Sequence, residues 1–162
     1  FRSVEELDWR RIVRVQLSAA IECDNVPEAR AALTPFAEPR YLHQTCAALD
    51  GEIIGSWSDL TPALKALPRL PGKTLVRTHY HVPLTWNGTG PLRSTRANLT
   101  PAFCSRARKT FGEVETYTHS IVPRALRPRT LARAIAGELE WAAARYGFSS
   151  STKRKIVSPG LA

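Results

Sequence analysis

The sequence contains no methionine, three cysteines and no long apolar stretch. No run approaches the roughly 20 apolar residues that a bilayer-spanning helix needs, which excludes a membrane span of that kind. Cys23, Cys46 and Cys104 are odd in number and far apart, so they predict neither a disulfide framework nor a metal knuckle. We therefore expect a reducing, cytoplasmic compartment. Because the chain starts at Phe1 without a methionine, we also expect it to be part of a longer or processed chain.

The composition predicts one folded domain with a basic surface. The 162 residues are 43% apolar, enough to bury a core. The net charge of +9 favours anionic partners such as phosphates or nucleic acid. The arginines are scattered along the chain instead of forming one basic stripe, so we do not expect nucleic acid to be the main partner. A small phosphorylated substrate is at least as compatible with this charge.

Strand and helix patterns alternate along most of the chain. Strands are predicted at residues 12–20, 40–47, 74–84 and 113–118, and helices at 26–36, 59–67, 94–109 and 130–146. These four units make up a domain over residues 1–148, and residues 149–162 are predicted to be a basic, flexible tail. Strands that alternate with helices are typical of α/β folds built from βαβ units.

Each predicted strand has one polar and one apolar face, since side chains alternate along a strand. A strand covered by helices on both faces would be apolar throughout. In a TIM barrel the polar face points into the barrel, whose strand C-terminal ends carry the active site. Four βα units are half of that fold, so we predict the C-terminal half, strands 5–8, of a TIM (β/α)8 barrel. Its open edges require the missing N-terminal half or a second chain as a partner.

Three of the four histidines lie on the inward polar face. His43 belongs to the second predicted strand, His79 and His81 to the third, and Glu115 to the fourth. Converging imidazoles and a carboxylate suit a divalent metal ion such as Zn, Mn, Co or Mg. The alternative is a set of hydrogen-bonded core histidines, but burying these groups without partners would cost several kcal/mol. His119, in the loop after the last strand, is expected to face solvent.

Two further side chains on the polar faces are candidate substrate contacts. Gln16 can donate a hydrogen bond to a substrate oxygen or fill a layer of the barrel. Arg77 lies deeper than the histidines, where it can bind substrate or form a buried ion pair with Glu113. The sequence leaves both alternatives open.

The segment 86–93 is a candidate anion-binding loop. It contains two glycines and leads into the helix predicted to start at Ser94 and Thr95, whose free N–H groups suit an anion. Arg93 and Arg96 would assist, and TIM-barrel enzymes often bind phosphate in such loops. The alternative is an ordinary Asn-Gly turn followed by a serine cap.

Four segments resemble a known family. They are THYHVPL (78–84), GPLRST (90–95), GEVETYTHSIVP (112–123) and IAGELEW (135–141). Together they resemble the EboE metabolite-traffic proteins, a branch of the xylose-isomerase-like (sugar phosphate isomerase/epimerase) TIM barrels. The likeness runs from about residue 13 to residue 146 and corresponds to the C-terminal half of the parent barrel.

The resemblance implies a divalent metal held at the strand ends, where it helps move a proton between adjacent carbons of a sugar. Glu115 matches the carboxylate of the final strand, and His81 or His79 matches the histidine of strand seven. His43 stands where relatives often have Asp or His. Gln16 stands where the isomerases usually have Glu, and this departure counts against classical isomerisation, since an amide cannot act as an anionic ligand or base.

We therefore expect a metal-dependent isomerase- or epimerase-like enzyme of a secondary-metabolite pathway. Its substrate would be a sugar or cyclitol, with or without phosphate, and Glu115 and His81 would be the catalytic residues. One alternative is a non-catalytic carrier or assembly protein that keeps the barrel, which Gln16 favours. Another is an endonuclease-like barrel that acts on abasic DNA, which would need more metal ligands than this chain offers.

Overall fold

A computed structural model describes residues 6–115, 129–146 and 156–157 of the chain. The strands in this part are β1 (Arg14–Leu17), β2 (Ala19–Asp24), β3 (Thr45–Leu49), β4 (Glu52–Trp57), β5 (Leu75–Val82), β6 (Gly88–Thr89), β7 (Leu92–Ser94), β8 (Phe111–Val114) and β9 (Ile156–Val157). The α-helices are α1 (Pro27–Leu33), α2 (Leu60–Ala66), α3 (Pro101–Ala107) and α4 (Leu131–Tyr146). The chain is thus a mixed α/β protein.

The helix predicted over residues 94–109 is divided into two pieces. A short 3₁₀ helix spans Thr95–Asn98, and α3 starts afresh at Pro101. Proline has no N–H to donate and fits the first helical position, so it begins a helix more readily than it continues one. The Thr100 hydroxyl caps α3 by accepting a hydrogen bond from the Phe103 N–H at 3.2 Å.

Six strands form one antiparallel sheet in the order β4-β3-β5-β2-β7-β6. β5 lies in its middle, paired with β2 on one side and β3 on the other. β3 and β4 form a hairpin that the sequence patterns did not predict. Its turn residues Asp50 (φ 52°) and Gly51 (φ 90°) have the positive φ angles of a tight hairpin turn. β5 therefore has neighbours on both edges, which fixes its side chains in register.

A smaller parallel sheet has the order β1-β8-β9. β1 and β2 are separated by Ser18 alone, so one extended segment contributes a strand to each sheet. β9 belongs to the segment 149–162 that was predicted to be a flexible tail. Within it the structure describes residues 156–157, which pair with β8 at Gly112 and Glu113; the other tail residues lie outside the described part.

These pairings differ from those of half a TIM barrel, in which four neighbouring strands run parallel. The first and last predicted strands do run parallel, as β1 and β8. β5, however, is antiparallel to both β2 and β3, and the described residues form no closed barrel. The hairpin after β3 accounts for part of the difference, since β4 returns beside β3 instead of leading directly into a helix. The half barrel stays a prediction that the described residues do not confirm.

The main core lies against one face of the six-stranded sheet. Alternation in β5 defines the two faces: Val76, Thr78 and Tyr80 are buried, whereas Arg77 and His79 are exposed. We call these the covered face and the open face. The core on the covered side includes buried apolar residues of the sheet, of the first two helices and of the 3₁₀ helix that follows α2: Ile21, Cys23, Ala29, Leu33, Ala47, Leu60, Leu67 and Val76. The alternation predicted for β5 is thus present in the fold.

No helix in the described ranges has both the length and the apolar character needed to cross a bilayer. Several large apolar side chains are nevertheless solvent-exposed, notably Val13, Leu42 and Ile53. Scattered exposed residues of this kind are common on protein surfaces.

Candidate functional site

Side chains of β5 and of the residues next to β3 and β8 form a continuous line of polar contacts at the end of β5. The Oε1 atom of Gln44 lies 2.9 Å from Nδ1 of His79, and Nε2 of His79 lies 2.7 Å from Nε2 of His81. Nδ1 of His81 in turn lies 3.1 Å from Oε2 of Glu115. We call Gln44, His79, His81 and Glu115 the histidine chain. It brings together three of the four residues predicted to bind a metal.

Backbone pairing fixes both ends of the histidine chain. The His79 N–H donates to the carbonyl oxygen of Gln44 at 2.8 Å, which places the two side chains side by side on the open face. At the other end, the Glu115 N–H donates to the carbonyl oxygen of Leu17 at 3.1 Å and extends the pairing of β8 with β1. The contacts therefore depend on strand register more than on loop conformation.

The amide of Gln44 sets the direction of the hydrogen bonds. Its oxygen can only accept, so Nδ1 of His79 carries the hydrogen, and Nε2 of the same ring is left as an acceptor. Nε2 of His81 then donates to it, and Nδ1 of His81 presents a lone pair to Glu115.

Burial favours the neutral forms of both His81 and Glu115. Burial, and then the charges of His79 and His43, lower the pKa of His81 to about 4. Burial raises the pKa of Glu115 above its usual range, against an opposing effect of His79. The His81 side chain is 8% exposed and that of Glu115 22%, whereas His79 is open to solvent. The chain thus runs from a solvated imidazole to two groups from which water is largely excluded.

His43 lies on the opposite face of the sheet. Its ring is 3% exposed and stacks on Tyr80, with 4.6 Å between ring centroids. Nδ1 donates to the carbonyl oxygen of His79 at 3.0 Å, and Nε2 contacts Glu38 Oε1 at 2.9 Å. Each ring nitrogen therefore has an acceptor within hydrogen-bond distance. The structure therefore separates His43 from the other predicted metal ligands and gives it a structural ion pair instead.

The predicted metal ligands do not assemble into a metal centre in the described ranges. No group of three His, Cys, Asp or Glu side chains there is arranged to hold an ion. The Nε2 atoms of His79 and His81 face each other, whereas Glu115 contacts Nδ1, on the other edge of the His81 ring. A bound metal needs about three protein ligands around one point. A divalent metal stays a prediction from the sequence.

The predicted substrate contacts Gln16 and Arg77 lie outside the histidine chain. Gln16 is exposed in β1, opposite Glu113 in the register of β8. Arg77 pairs on the open face with Glu22, at 2.7 Å. The partner of Glu113 is Arg14, at 3.0 Å, and not Arg77, because Arg14 projects from the neighbouring strand β1. The ion pair between Arg77 and Glu113 is thus absent.

The predicted anion loop uses its polar groups within the protein. Arg93 contacts both carboxylate oxygens of Asp24, at 3.0 and 3.2 Å. Ser94 caps the 3₁₀ helix through the Arg96 N–H, and the Thr95 hydroxyl accepts from the Ala20 N–H at 2.8 Å. The segment itself is the hairpin of β6 and β7. The serine cap of the second alternative is present, but the hairpin turn lies at Gly90 and Pro91 and not at the Asn-Gly pair. Anion binding by this segment stays a prediction.

Two polar residues of this region were not singled out from the sequence. Gln44 has the parity of the apolar face in its predicted strand, so its role depends on the pairing of β3 with β5, which local pattern does not encode. Glu138 carried a clearer signal, because it lies seven residues after Leu131 on the apolar stripe of α4. A carboxylate at such a position is unusual. His119 lies outside the described residues.

None of the three cysteines forms a disulfide. Cys23 and Cys104 are buried, Cys46 is half-buried, and all three are free thiols. Burial raises the pKa of Cys23 to about 11, which disfavours its reactive thiolate form.

Comparisons with protein-family models, with curated proteins and with solved structures found no match to this chain.

Proposed function

We propose that the chain carries the acid–base residues of a cytoplasmic isomerase- or epimerase-like enzyme that acts on a polyhydroxylated sugar or cyclitol. The observation that supports this most is the histidine chain, in which His79, His81 and Glu115 are in direct contact. Perturbed acid and base groups in contact are typical of proton-transfer sites.

Glu115 is the group that takes the proton from carbon in this proposal. Burial raises the pKa of its carboxyl, which makes its carboxylate a stronger base than an exposed one. The carbon next to a carbonyl loses its proton to Glu115, and the electron pair moves onto the carbonyl oxygen to give an enolate. A neutral His81 beside it accepts the proton at Nδ1 without first having to lose one.

His79 is the group that returns the proton. As His81 gains a hydrogen at Nδ1, its Nε2 hydrogen passes to Nε2 of His79, 2.7 Å away. The His79 imidazolium is solvated because its ring is exposed. It returns the proton to carbon: to the original carbon from the opposite face for epimerisation, or to the former carbonyl carbon for isomerisation. In the second case the proton of the neighbouring hydroxyl moves to the former carbonyl oxygen. One proton leaves the substrate and one returns, as isomerisation or epimerisation requires.

Solvent deuterium exchange tests this proposal directly. The intact protein is incubated in D₂O with a panel of aldoses, ketoses, cyclitols and their phosphates, and NMR detects exchange at carbon. We expect exchange on at least one compound, and a fall of roughly 10²–10⁴-fold in Glu115→Gln and His81→Asn. Glu52→Gln, which changes an exposed carboxylate at the start of β4, is the matched control and should exchange at the original rate.

Two outcomes would contradict the enzyme proposal. Exchange that survives in Glu115→Gln would show that another residue is the base. Binding of a panel compound without exchange, seen by ligand-observed NMR, would favour the non-catalytic carrier.

A further inference from the structure

Glu138 is a buried carboxylate that the proposed reaction does not use. Its residue is 2% exposed, and it lies on the face of α4 that packs toward the end of β5. Its Oε2 atom accepts a hydrogen bond from the backbone N–H of Leu84 at 2.9 Å. Leu84 is the third residue after His81, in the turn that ends β5.

The same turn is held from its other side by Arg96. The guanidinium donates to the carbonyl oxygens of Leu84, at 2.8 Å, and Thr85, at 3.0 Å. The Leu84 residue therefore has a carboxylate on its N–H and a guanidinium on its carbonyl oxygen. The turn is also closed internally, by a hydrogen bond of 2.9 Å from Trp86 N–H to the carbonyl oxygen of Pro83.

One face of α4 is shaped to approach this turn. A Cβ atom at Gly137 would meet Cγ2 of Thr85 at 3.3 Å, so the glycine allows the helix backbone to come close. One turn further along, the ring of Trp141 lies under the Arg96 guanidinium, 5.7 Å from its centroid. We call Gly137, Glu138, Trp141 and Arg96 the turn clamp.

We propose that Glu138 is a positioning residue: through the Leu84 N–H its carboxylate holds the turn after β5 and so sets the position of His81 relative to Glu115. This rests on the proposed function of the histidine chain. The turn is three residues from His81, and the neighbouring residue Val82 is the last of β5, so movement of the turn displaces the imidazole.

The presence of an ionisable carboxyl at position 138, where an amide could make the same hydrogen bond, indicates what the clamp does. A glutamine at position 138 would accept the same hydrogen bond from Leu84 without the cost of burying an ionisable group. Burial raises the pKa of Glu138 to about 7, while the hydrogen bond from Leu84 opposes that rise. The charged form accepts a stronger hydrogen bond than the neutral form, so the hold on the turn tightens as the carboxyl ionises. Arg96 is the charged group that faces the clamp across the Leu84 residue.

NMR of the full chain tests the proposal without needing substrate. The backbone amide of Leu84 and the ring nitrogens of His81 are followed between pH 5.5 and 8.5 in the wild type, Glu138→Gln and Glu140→Gln. Glu140 is exposed two residues further along α4, which makes its variant the matched control. We expect the Leu84 amide to titrate with a midpoint of about 7 in the wild type and the control, and the inflection to disappear in Glu138→Gln.

The NMR signals of the His81 ring distinguish a positioning role of Glu138 from a purely structural one. Subtracting the Glu138→Gln titration from that of the wild type should leave a change in the His81 signals with the same midpoint as Leu84. If the Leu84 amide does not titrate, or if it titrates while the difference at His81 is flat, the proposal is overturned. Because neither readout uses turnover, a failed deuterium exchange would reject the proposed reaction and leave this result standing.

Discussion

The two faces of β5 give the same kinds of side chain opposite roles. On the covered face, His43 is buried, stacked on Tyr80, and has an acceptor at each ring nitrogen. On the open face, His79 contacts a second imidazole and is exposed to solvent. A histidine whose nitrogens are both bound by fixed acceptors stabilises a fold, whereas one that contacts a perturbed neighbour can move a proton. Both His43 and His79 lie on polar faces of predicted strands, so their sequence positions alone do not distinguish their roles.

Removing the aromatic ring from the covered face should have the largest effect on stability. Tyr80 is 1% exposed and packs edge-on against Phe36, with 5.2 Å between ring centroids. Tyr80→Ala leaves a cavity and should lower the free energy of unfolding by roughly 3–5 kcal/mol in urea denaturation. Tyr41→Ala, which truncates a half-exposed ring, should cost under about 1 kcal/mol. Equal losses would mean that the covered face is not the core.

Breaking the ion pair of His43 should have the next largest effect. Although burial raises it, hydrogen bonds from two backbone N–H groups and from His43 bring the pKa of Glu38 below its usual range. His43→Leu leaves that carboxylate and the carbonyl oxygen of His79 without their partner, at a cost of about 2–3 kcal/mol. Arg77→Leu, which breaks an ion pair with Glu22 on the open face, should change stability by less than about 1 kcal/mol. Thermal unfolding compares the two variants directly. If the open-face variant is the less stable of the two, the covered face does not hold the more important structural contacts.

Lowering the pH should reduce the stability of the fold through the buried His81 ring. Its pKa is lowered to about 4, so between that pH and about 6.5 the unfolded chain binds the proton that the folded chain excludes. Stability is therefore lost as the pH falls through this window. The difference in unfolding free energy between the wild type and His81→Gln should shrink by about 2 kcal/mol from pH 7 to pH 5. If the difference in unfolding free energy does not change with pH, the His81 ring is solvated and burial does not lower its pKa.

Local sequence pattern predicts some of this organisation and misses the rest for identifiable reasons. The alternation of residues 75–82 and the period of α4 are local properties, so both could be predicted. Whether β5 runs parallel or antiparallel to its neighbours depends on how the chain returns to it, which alternation does not encode. The hairpin at Asp50–Gly51 was readable as a turn signal and would have indicated an antiparallel pair.

His43 shows the limit of such patterns at the candidate site. Its parity within residues 40–47 groups it with polar side chains, but β3 begins only at Thr45. Its burial is decided by Glu38 and Tyr80, one from a preceding loop and one from a strand that lies 37 residues later. Contacts of that kind can be found only in three dimensions.

The segment around Ser18 has a mechanical consequence. Leu17 bonds to Glu115 in the parallel sheet, and Ala19 pairs with Val82, the neighbour of His81, in the antiparallel one. Three consecutive residues thus act as a spacer between the acid and the imidazole. The distance between the Glu115 carboxyl and the His81 ring therefore depends on the backbone angle at Ser18, where the chain passes from one sheet to the other.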